Sequence, residues 1–404
     1  MTSILDTPLA TRENALKQLE TLKPKLGRAY AADRNFDNGP GNHSSVSSLS
    51  PWVRHRLILE EELVSAALGS HSFAASEKFI QEVFWRSYWK GWLEMRPQVW
   101  RDYEMVRDQD LADWEGRPEL HDACAGNTGI DCFDFWVREL VETNYLHNHV
   151  RMWFASIWIF TLHLPWTLGA DFFLQNLLDG DPASNTLSWR WVGGLQTRGK
   201  TYLARADNIC KFTRGRFNPN GQLAAYATPL DGPLAPPPQT LSFQNPASQD
   251  MPYVLIVTEE DLGLESLNIS SKYLKIIITV NCSEKRSPNK ISPKVTAFIA
   301  NAMDTTVDFA NELEVPVIQC NPADINGIIN TVNASGASQI ITPLAPVGPA
   351  QDILRVIEAR AIEDNISFTR LARAYDRETW PYATKGFFKF KEAIPAVIAR
   401  LGLG

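Results

Sequence analysis

The sequence lacks several features that would assign it to a class at once. Its five cysteines are scattered and form no C-x-x-C pair, which argues against a spaced zinc site and favours a reducing compartment. Its longest apolar run, residues 153–166, is too short to span a bilayer and contains His163. The start, MTSILDTPLATREN, has neither the basic residues nor the apolar core of a signal peptide. We therefore expect a cytoplasmic protein without membrane contact, and we see no internal repeat.

A surplus of basic charge is also missing. The net charge is −7 and the pI is near 5.6, so the chain as a whole has no general affinity for nucleic acid, although a local basic patch could still bind phosphate. Apolar residues make up 44% and charged residues 21% of the sequence, which is typical of a globular protein. A length of 404 residues is enough for two domains, and no cluster of residues predicts a metal site.

The chain has two parts of different character. Twelve of the thirteen tryptophans lie at or before Trp191, in a region with helical patterning. Eight prolines between residues 219 and 252 indicate a linker. We therefore predict an all-helical domain over residues 1–218, a Pro-rich linker over 219–251 and a second domain over 252–404.

The second domain has short β-rich runs separated by helical runs. The predicted strands are residues 252–258, 274–280, 315–320, 339–344 and 366–371, and the predicted helices include 295–313 and 349–363. Strands that alternate with helices predict a parallel, doubly wound α/β sheet.

The stretch 146–191 carries the strongest chemical signal. Asn148, Arg151, Met152 and Ala155 have the spacing of a single helix face within a Trp-rich segment. An arginine buried there needs a carboxylate partner, because an unpaired buried charge is too costly. Asp179, Asp181 and Asn185 follow in the pattern D-G-D-x-x-x-N. This combination favours a pocket for a flat, polar-edged heterocyclic cofactor.

These motifs resemble the flavin-binding helical domain of the photolyase/cryptochrome family. The resemblance rests on HN-x-x-RM at 147–152, D-G-D-x-x-x-N at 179–185 and W-x-W at 189–191, in this order and spacing. It covers residues 25–217 well and 252–400 loosely. It implies FAD as the cofactor, and the sequence leaves open whether a second, antenna chromophore binds.

The resemblance assigns roles to the cofactor-binding residues. Tyr30 and the Ser-rich loop with Ser47, Leu49 and Ser50 would hold the flavin diphosphate, although Val46 replaces the usual threonine. Arg86 would lie towards the phosphates. Further residues match the flavin ring: Arg151 and Asp179 as a salt bridge, Asp181 at the imide edge, and Asn185 at N5.

A second set of matches concerns the substrate. Glu82, Trp85 and Arg86 form the family's E-x-x-W-R pattern, in which Glu contacts the damaged pyrimidines and Trp stacks on them. Asn148, Met152 and Trp191 would complete a pocket for a flipped-out cyclobutane pyrimidine dimer. Relatives that repair (6-4) photoproducts place histidines where Asn148 and Met152 stand here. His147 and His149 are out of that register, so we favour the cyclobutane dimer.

Electron transfer and DNA contact complete the implied roles. Trp166 and Trp189 match members of the family's electron-hopping chain, and Trp114 lies one residue from the expected place of the third. Six basic residues between 197 and 216 face a single acid, Asp207; they are Arg198, Lys200, Arg205, Lys211, Arg214 and Arg216. They predict a positive rim for DNA phosphates beside the pocket.

The second domain is similar to the family's antenna domain at 255–267 and 386–395. In the usual order that domain comes first, so we infer a circular permutation, which domains with surface termini tolerate.

The resemblance implies light-dependent repair of UV-damaged DNA by a monomer, in which photoexcited reduced FAD donates an electron that splits the dimer. The alternatives are a cryptochrome-like photoreceptor without repair, a (6-4) photolyase, and a light-independent flavoprotein.

Overall fold

The computed structural model describes residues 8–245 and 248–404. The first seven residues of the N-terminal stretch MTSILDTPLATREN, which we examined for a signal peptide, lie outside the described residues. The first part is helical, as the sequence predicted. Its helices are α1 Arg12–Leu22, α2 Arg28–Asp33, α3 Ser50–Arg54, α4 Glu60–Ser70, α5 Phe73–Glu94, α6 Gln98–Asp113, α7 Pro118–Ala125, α8 Asp131–Thr143, α9 Asn148–Ser156, α10 Trp166–Asn176, α11 Pro182–Val192 and α12 Ala206–Phe212. A π-turn, Ile157–Thr161, extends α9.

Local signals explain where the longest of these helices begins. The Ser72 side chain accepts a hydrogen bond from the backbone N–H of Ala75 at 3.4 Å and so caps α5. The face of α5 that carries Phe79, Val83 and Phe84 is buried in the core. No helix in residues 8–245 or 248–404 combines the length and apolarity needed to cross a membrane.

The Pro-rich segment carries no helix or strand between residues 213 and 252, as far as it is described. It nevertheless packs on the helical part. Leu230 N–H donates to Gly193 O at 2.9 Å, and Arg96 Nε donates to Pro236 O at 3.1 Å. The segment therefore runs along the helical surface.

A five-stranded parallel sheet with the order β3-β2-β1-β4-β5 forms the centre of the second part. Its strands are β1 Tyr253–Thr258, β2 Leu274–Val280, β3 Val317–Cys320, β4 Gln339–Pro343 and β5 Ser367–Leu371, and its helices are α13 Pro293–Glu312, α14 Ile325–Ala334, α15 Pro349–Glu363, α16 Ala374–Thr379, α17 Phe387–Lys391 and α18 Ile394–Leu401. The predicted fold class, a helical domain followed by a parallel α/β domain, is confirmed.

Both faces of the sheet are covered, which explains the continuous apolar strands. Leu255 of β1 and Phe298 of α13 belong to a core that continues into the helical part. Ile256 of β1 lies on the opposite face with Ile328 of α14 and Leu354 of α15. Successive residues of β1 therefore point to two different cores.

Buried ion pairs join the carboxyl end of β1 to the helical part. Arg54 donates to both carboxylate oxygens of Glu260 at 2.6 Å. Arg56 contacts Asp261 at 2.9 Å and Asp376 at 2.7 Å, and all three side chains are at most 2% exposed. Arg373 also pairs with Asp261, at 2.7 Å. The end of the sheet where α/β proteins commonly bind ligands is thus filled by arginines of the helical part.

Replacement of Arg56 by methionine should destabilise the protein by about 3–5 kcal/mol, because Asp376 would stay buried without its partner and Asp261 would keep only Arg373. Urea unfolding followed by tryptophan fluorescence measures this change. Arg360→Met, which removes an exposed pair on α15, should leave the midpoint nearly unchanged. Equal midpoints for wild type and Arg56→Met would show that this network does not stabilise the fold.

Candidate active site

A cavity of about 780 Å³ lies between α5, α9, α11 and the Ser-rich loop that precedes α3. The predicted cofactor and substrate residues line it together with Trp189, a predicted electron-transfer residue: Tyr30, Ser47, Leu49, Ser50, Glu82, Trp85, Arg86, Asn148, Arg151, Met152, Asp179, Asp181, Asn185 and Trp191. Tyr30 and Trp191, which are more than 160 positions apart in the sequence, therefore line the same cavity. Their individual roles stay predictions.

Helix α9 supplies one wall through the face that its spacing defined. Asn148, Arg151, Met152 and Ala155 all line the cavity. The His147 ring caps this helix, because its Nδ1 accepts from the backbone N–H of His149 at 3.2 Å. The cap fixes where the helix begins and so which side chains turn inward.

Arg151 is paired as a buried arginine requires. Its Nη2 donates to Asp179 Oδ2 at 2.9 Å, and its Nε donates to Leu146 O at 2.9 Å. Burial raises the pKa of Asp179, but the guanidinium of Arg151 more than offsets this, and the pKa lies below its ordinary value. The carboxylate is therefore anionic at the cavity wall at neutral pH.

Asp181 combines a structural and an electrostatic task. It caps α11: its carboxylate accepts from Ala183 N at 3.3 Å and Ser184 Oγ at 2.7 Å, and Pro182 follows at the first helical position. Burial raises the pKa of Asp181, but the cations Lys90, Arg54 and Arg86 lower it by more, so the net shift is strongly downward. Asn185, one turn along α11, donates to Ala170 O at 2.8 Å.

Several polar atoms at this cavity still need a partner. Across residues 8–245 and 248–404, buried atoms of cavity-lining residues without a hydrogen-bond partner include Asp179 Oδ1 and Arg86 Nη1, the latter 3.6 Å from Asp181 Oδ2. Buried polar groups are normally satisfied, so these atoms indicate a polar ligand. The Arg86 cation suits phosphate, and a carboxylate with an amide suits a heterocycle edge. The residues therefore fit FAD.

The substrate wall contains two contacts that the sequence did not predict. Glu82 forms an ion pair with Arg34. Burial raises the pKa of Glu82, although Arg34 acts in the opposite direction. Trp85 is stacked on Phe387, with ring centroids 3.6 Å apart and an interplanar angle of 11°.

One of these two contacts left a signal in the sequence. Arg34 is the C-cap of α2 and follows Tyr30 by four residues, so helical spacing places the two on one side of the chain there. Phe387 comes from the other end of the chain, where spacing along the sequence indicates nothing.

The opposite wall also differs from expectation. His149, which we predicted to be out of register, lines the cavity. It stacks on Trp153 at 4.1 Å, and its Nδ1 bonds to Asn35 O at 3.0 Å. Burial lowers its pKa, so the ring is neutral at pH 7 and does not offer a cation to DNA phosphate. Trp191 stacks on Tyr202 at 5.5 Å.

The three predicted electron-transfer tryptophans lie at different depths. Trp189 is buried and lines the cavity. Its ring packs against Gly169 so closely that an added Cβ would lie 2.3 Å from the indole. Gly169 lies on α10, one turn after Trp166. Trp166 lies outside the cavity wall and contacts Tyr103 at 5.6 Å. Trp114 ends α6, beneath the guanidinium of Arg117 at 4.8 Å.

The basic segment is less positive than its sequence suggested. Arg205 pairs with Asp207 at 2.8 Å, and Arg216 pairs with the buried Asp37, an acid distant in sequence. Arg214 donates to Asn38 Oδ1 at 2.9 Å. In the part of the chain that the structure describes, Arg198, Lys200, Lys211 and Arg214 have no carboxylate partner. None of the six cations lines the cavity, but Tyr202, Asn208 and Phe212 of the same segment do.

Residues 79–229 match the model of a family described as the FAD binding domain of DNA photolyase. The match lies in the helical part and the start of the Pro-rich segment, and it covers less than half of the chain. The prediction that FAD is the cofactor is thereby confirmed.

Individual relatives match the photolyase-type domain over part of their length. A deoxyribodipyrimidine photo-lyase of Streptomyces griseus is 33% identical over 178 residues, which are 41% of this chain and 38% of that protein. One from Alkalihalophilus pseudofirmus is 27% identical over 211 residues, 52% of this chain and 43% of that protein. A class III photolyase from Agrobacterium tumefaciens has a TM-score of 0.41 at 25% identity over 50% of this chain and 42% of that chain. The chain thus spans less than half the length of these relatives.

A titratable pair lies behind the wall of this photolyase-type cavity. His43 Nε2 is 3.6 Å from Glu139 Oε1, and the His43 ring is 4.8 Å from that of Tyr145, which lines the cavity. Burial and the nearby Asp37 raise the pKa of Glu139 to about 8, although Arg216 acts against this. Burial lowers the pKa of His43. Both groups are therefore neutral at pH 7, and their contact is not an ion pair.

The raised pKa of Glu139 should make stability depend on pH. The folded protein binds a proton that the unfolded chain loses near pH 4.5, so the contribution is complete below that pH and declines as pH rises towards about 8. Glu139→Gln should remove a slope of up to about 1.4 kcal/mol per pH unit in that window. Urea unfolding at several pH values measures it, with the exposed Glu142→Gln as control; parallel curves for wild type and Glu139→Gln would contradict the assignment.

Proposed function

We propose that the chain uses light to split cyclobutane pyrimidine dimers in UV-damaged DNA. One observation carries this proposal: the residues suited to a flavin and those suited to a pyrimidine dimer line the same cavity. The names of the relatives, deoxyribodipyrimidine photo-lyases, agree with it.

The cofactor residues divide by chemistry. The loop with Ser47, Leu49 and Ser50, together with Arg86, would hold the diphosphate. The Arg151–Asp179 pair, Asp181 and Asn185 would hold the polar edge of the ring, with Asn185 at N5. When bound and reduced, FAD supplies an electron after it absorbs a near-UV or blue photon.

The substrate residues would place the lesion against this cofactor. Trp85 and Trp191 form two aromatic walls, and a dimer stacks poorly in duplex DNA, so its extrusion costs less than that of a normal pair. Asn148 and Met152 would contact the dimer between these walls. Glu82 would accept hydrogen bonds from the bases, which requires that it exchange or share its ion pair with Arg34. Arg34 thus keeps this half-buried carboxylate paired until substrate arrives.

The arrangement of the chain supports a permuted member of the family. We propose the boundaries 1–218, 219–251 and 252–404, with the antenna-like domain second instead of first. The electron path through Trp189, Trp166 and Trp114, DNA contacts by the basic segment, the monomeric state and residence in the cytoplasm remain predictions.

The first test is illumination of the photoreduced, FAD-loaded protein with oligonucleotides that carry either a cyclobutane dimer or a (6-4) photoproduct. Because His149 lies on the cavity wall, the (6-4) arm is needed. Light-dependent loss of the cyclobutane dimer alone is expected. Loss of only the (6-4) photoproduct would show that this lesion, and not the cyclobutane dimer, is the substrate. Loss of neither lesion, with flavin bound and photoreducible, would favour a photoreceptor. Matched dark samples exclude a light-independent reaction.

Glu82→Ala should weaken binding of dimer-containing DNA by roughly tenfold or more and lower the repair yield, because a charge-assisted hydrogen bond is lost. Flavin content, read from visible absorbance, should stay unchanged. Glu119→Ala on α7, which is exposed and outside the cavity, is the control. A flavin-free Glu82→Ala protein would place Glu82 in the cofactor site instead.

A further inference from the structure

Phe388 is an aromatic side chain held in solvent at the mouth of the cavity. It is 85% exposed and belongs to α17, in the C-terminal part of the chain. It also lines the cavity, from the side where Trp85 lies. A single exposed apolar side chain needs no explanation by itself, but one that also lines a cavity is in reach of whatever binds there.

The neighbours of Phe388 hold it rigidly. Phe387 is buried and stacked on Trp85, and Phe390 is buried against Tyr88 at 5.5 Å. Tyr88 Oη donates to Lys385 O at 3.0 Å, which fixes the start of the turn. The exposure of Phe388 is therefore imposed by the anchoring of the residues on either side.

The same short segment is basic. Lys385 and Lys389 are exposed, and Lys391 pairs with Glu77 at 2.9 Å. The pair between Lys389 and Glu392 is exposed on both sides, with 64% of each side chain accessible, so phosphate can compete for that lysine. In a chain with a net charge of −7, an exposed aromatic between lysines is complementary to nucleic acid.

A second segment that lines the cavity has a similar composition. Tyr202 and Phe212 line the cavity there and belong to the segment that carries Arg198, Lys200 and Lys211. A duplex bound at the cavity would meet aromatic and basic side chains from both segments.

We propose that α17 is a DNA-opening element, in which Phe388 stacks on a base next to the extruded dimer while Lys385 and Lys389 contact phosphates. The proposal rests on the proposed function, since it takes dimer-containing DNA as the ligand. Extrusion of a dimer leaves its neighbours unstacked, and apolar side chains that fill such gaps offset part of this loss.

The test compares Phe388→Ala and Phe388→Trp with wild type in the FAD-loaded form. Fluorescence anisotropy measures binding to a duplex with one cyclobutane dimer and to the same duplex without it. A 2-aminopurine placed next to the dimer reports stacking directly. Tyr226→Ala is the matched control, because Tyr226 is 80% exposed and does not line the cavity.

Phe388→Ala should weaken binding to the dimer duplex about tenfold, as expected for loss of one stacked base, and should restore 2-aminopurine fluorescence in the complex. Phe388→Trp should bind at least as well as wild type. Lys385→Gln and Lys389→Gln should each remove one phosphate contact. The slope of the logarithm of the binding constant against the logarithm of the salt concentration should therefore become shallower by about one in each variant.

Two outcomes separate the two proposals. Suppose that wild type prefers the dimer duplex, and that Phe388→Ala binds this duplex and quenches its 2-aminopurine as strongly as wild type does. The role of Phe388 is then overturned and the proposed function stands. If wild type has no preference for the dimer duplex, both proposals are overturned.

Discussion

The arrangement of the molecule depends on the contacts that the Arg54 side chain makes with Gly180 and Glu260. Its Nε donates to Gly180 O at 2.9 Å, within the D-G-D loop of the cavity, and its two terminal nitrogens bind Glu260 at the end of β1. The side chain is 1% exposed, so neither charge has water as an alternative partner. A buried pair of this kind is stable only with both partners in place. The cofactor loop, α3 and the sheet are therefore positioned together.

This coupling gives the second part of the chain a role at the site itself. At the carboxyl end of β1, Arg54 and Arg56 of the helical part pair with Glu260 and Asp261. Helix α17 reaches the cavity mouth, where Phe387 covers one face of Trp85. Only part of the Trp85 surface remains for a substrate. The site is built by both halves, although the flavin-type residues all lie in the first.

The cavity is also organised by charge. Two anionic carboxylates, Asp179 and Asp181, remain ionised in a buried place because arginine and lysine side chains surround them. A third carboxylate, Glu82, is held by Arg34 at the mouth. The deeper carboxylates bind and orient, whereas the outer one has a partner that a substrate can displace. The neutral Glu139–His43 pair behind the wall shows the opposite effect, since burial without a close cation favours the uncharged forms.

Periodicity and local chemistry determined much of this protein from sequence alone. The spacing of Asn148, Arg151 and Met152 defined an inward helix face, and apolar runs between helices defined the parallel sheet, because both signals act within a few turns or one strand. Tertiary structure alone decided the pairing of Arg216 with Asp37, the inward position of His149 and the stacking of Phe387 on Trp85. Each of these depends on how separate elements pack. Side chains far apart in the sequence meet only after the cores have formed, and no local pattern records which partner they will find.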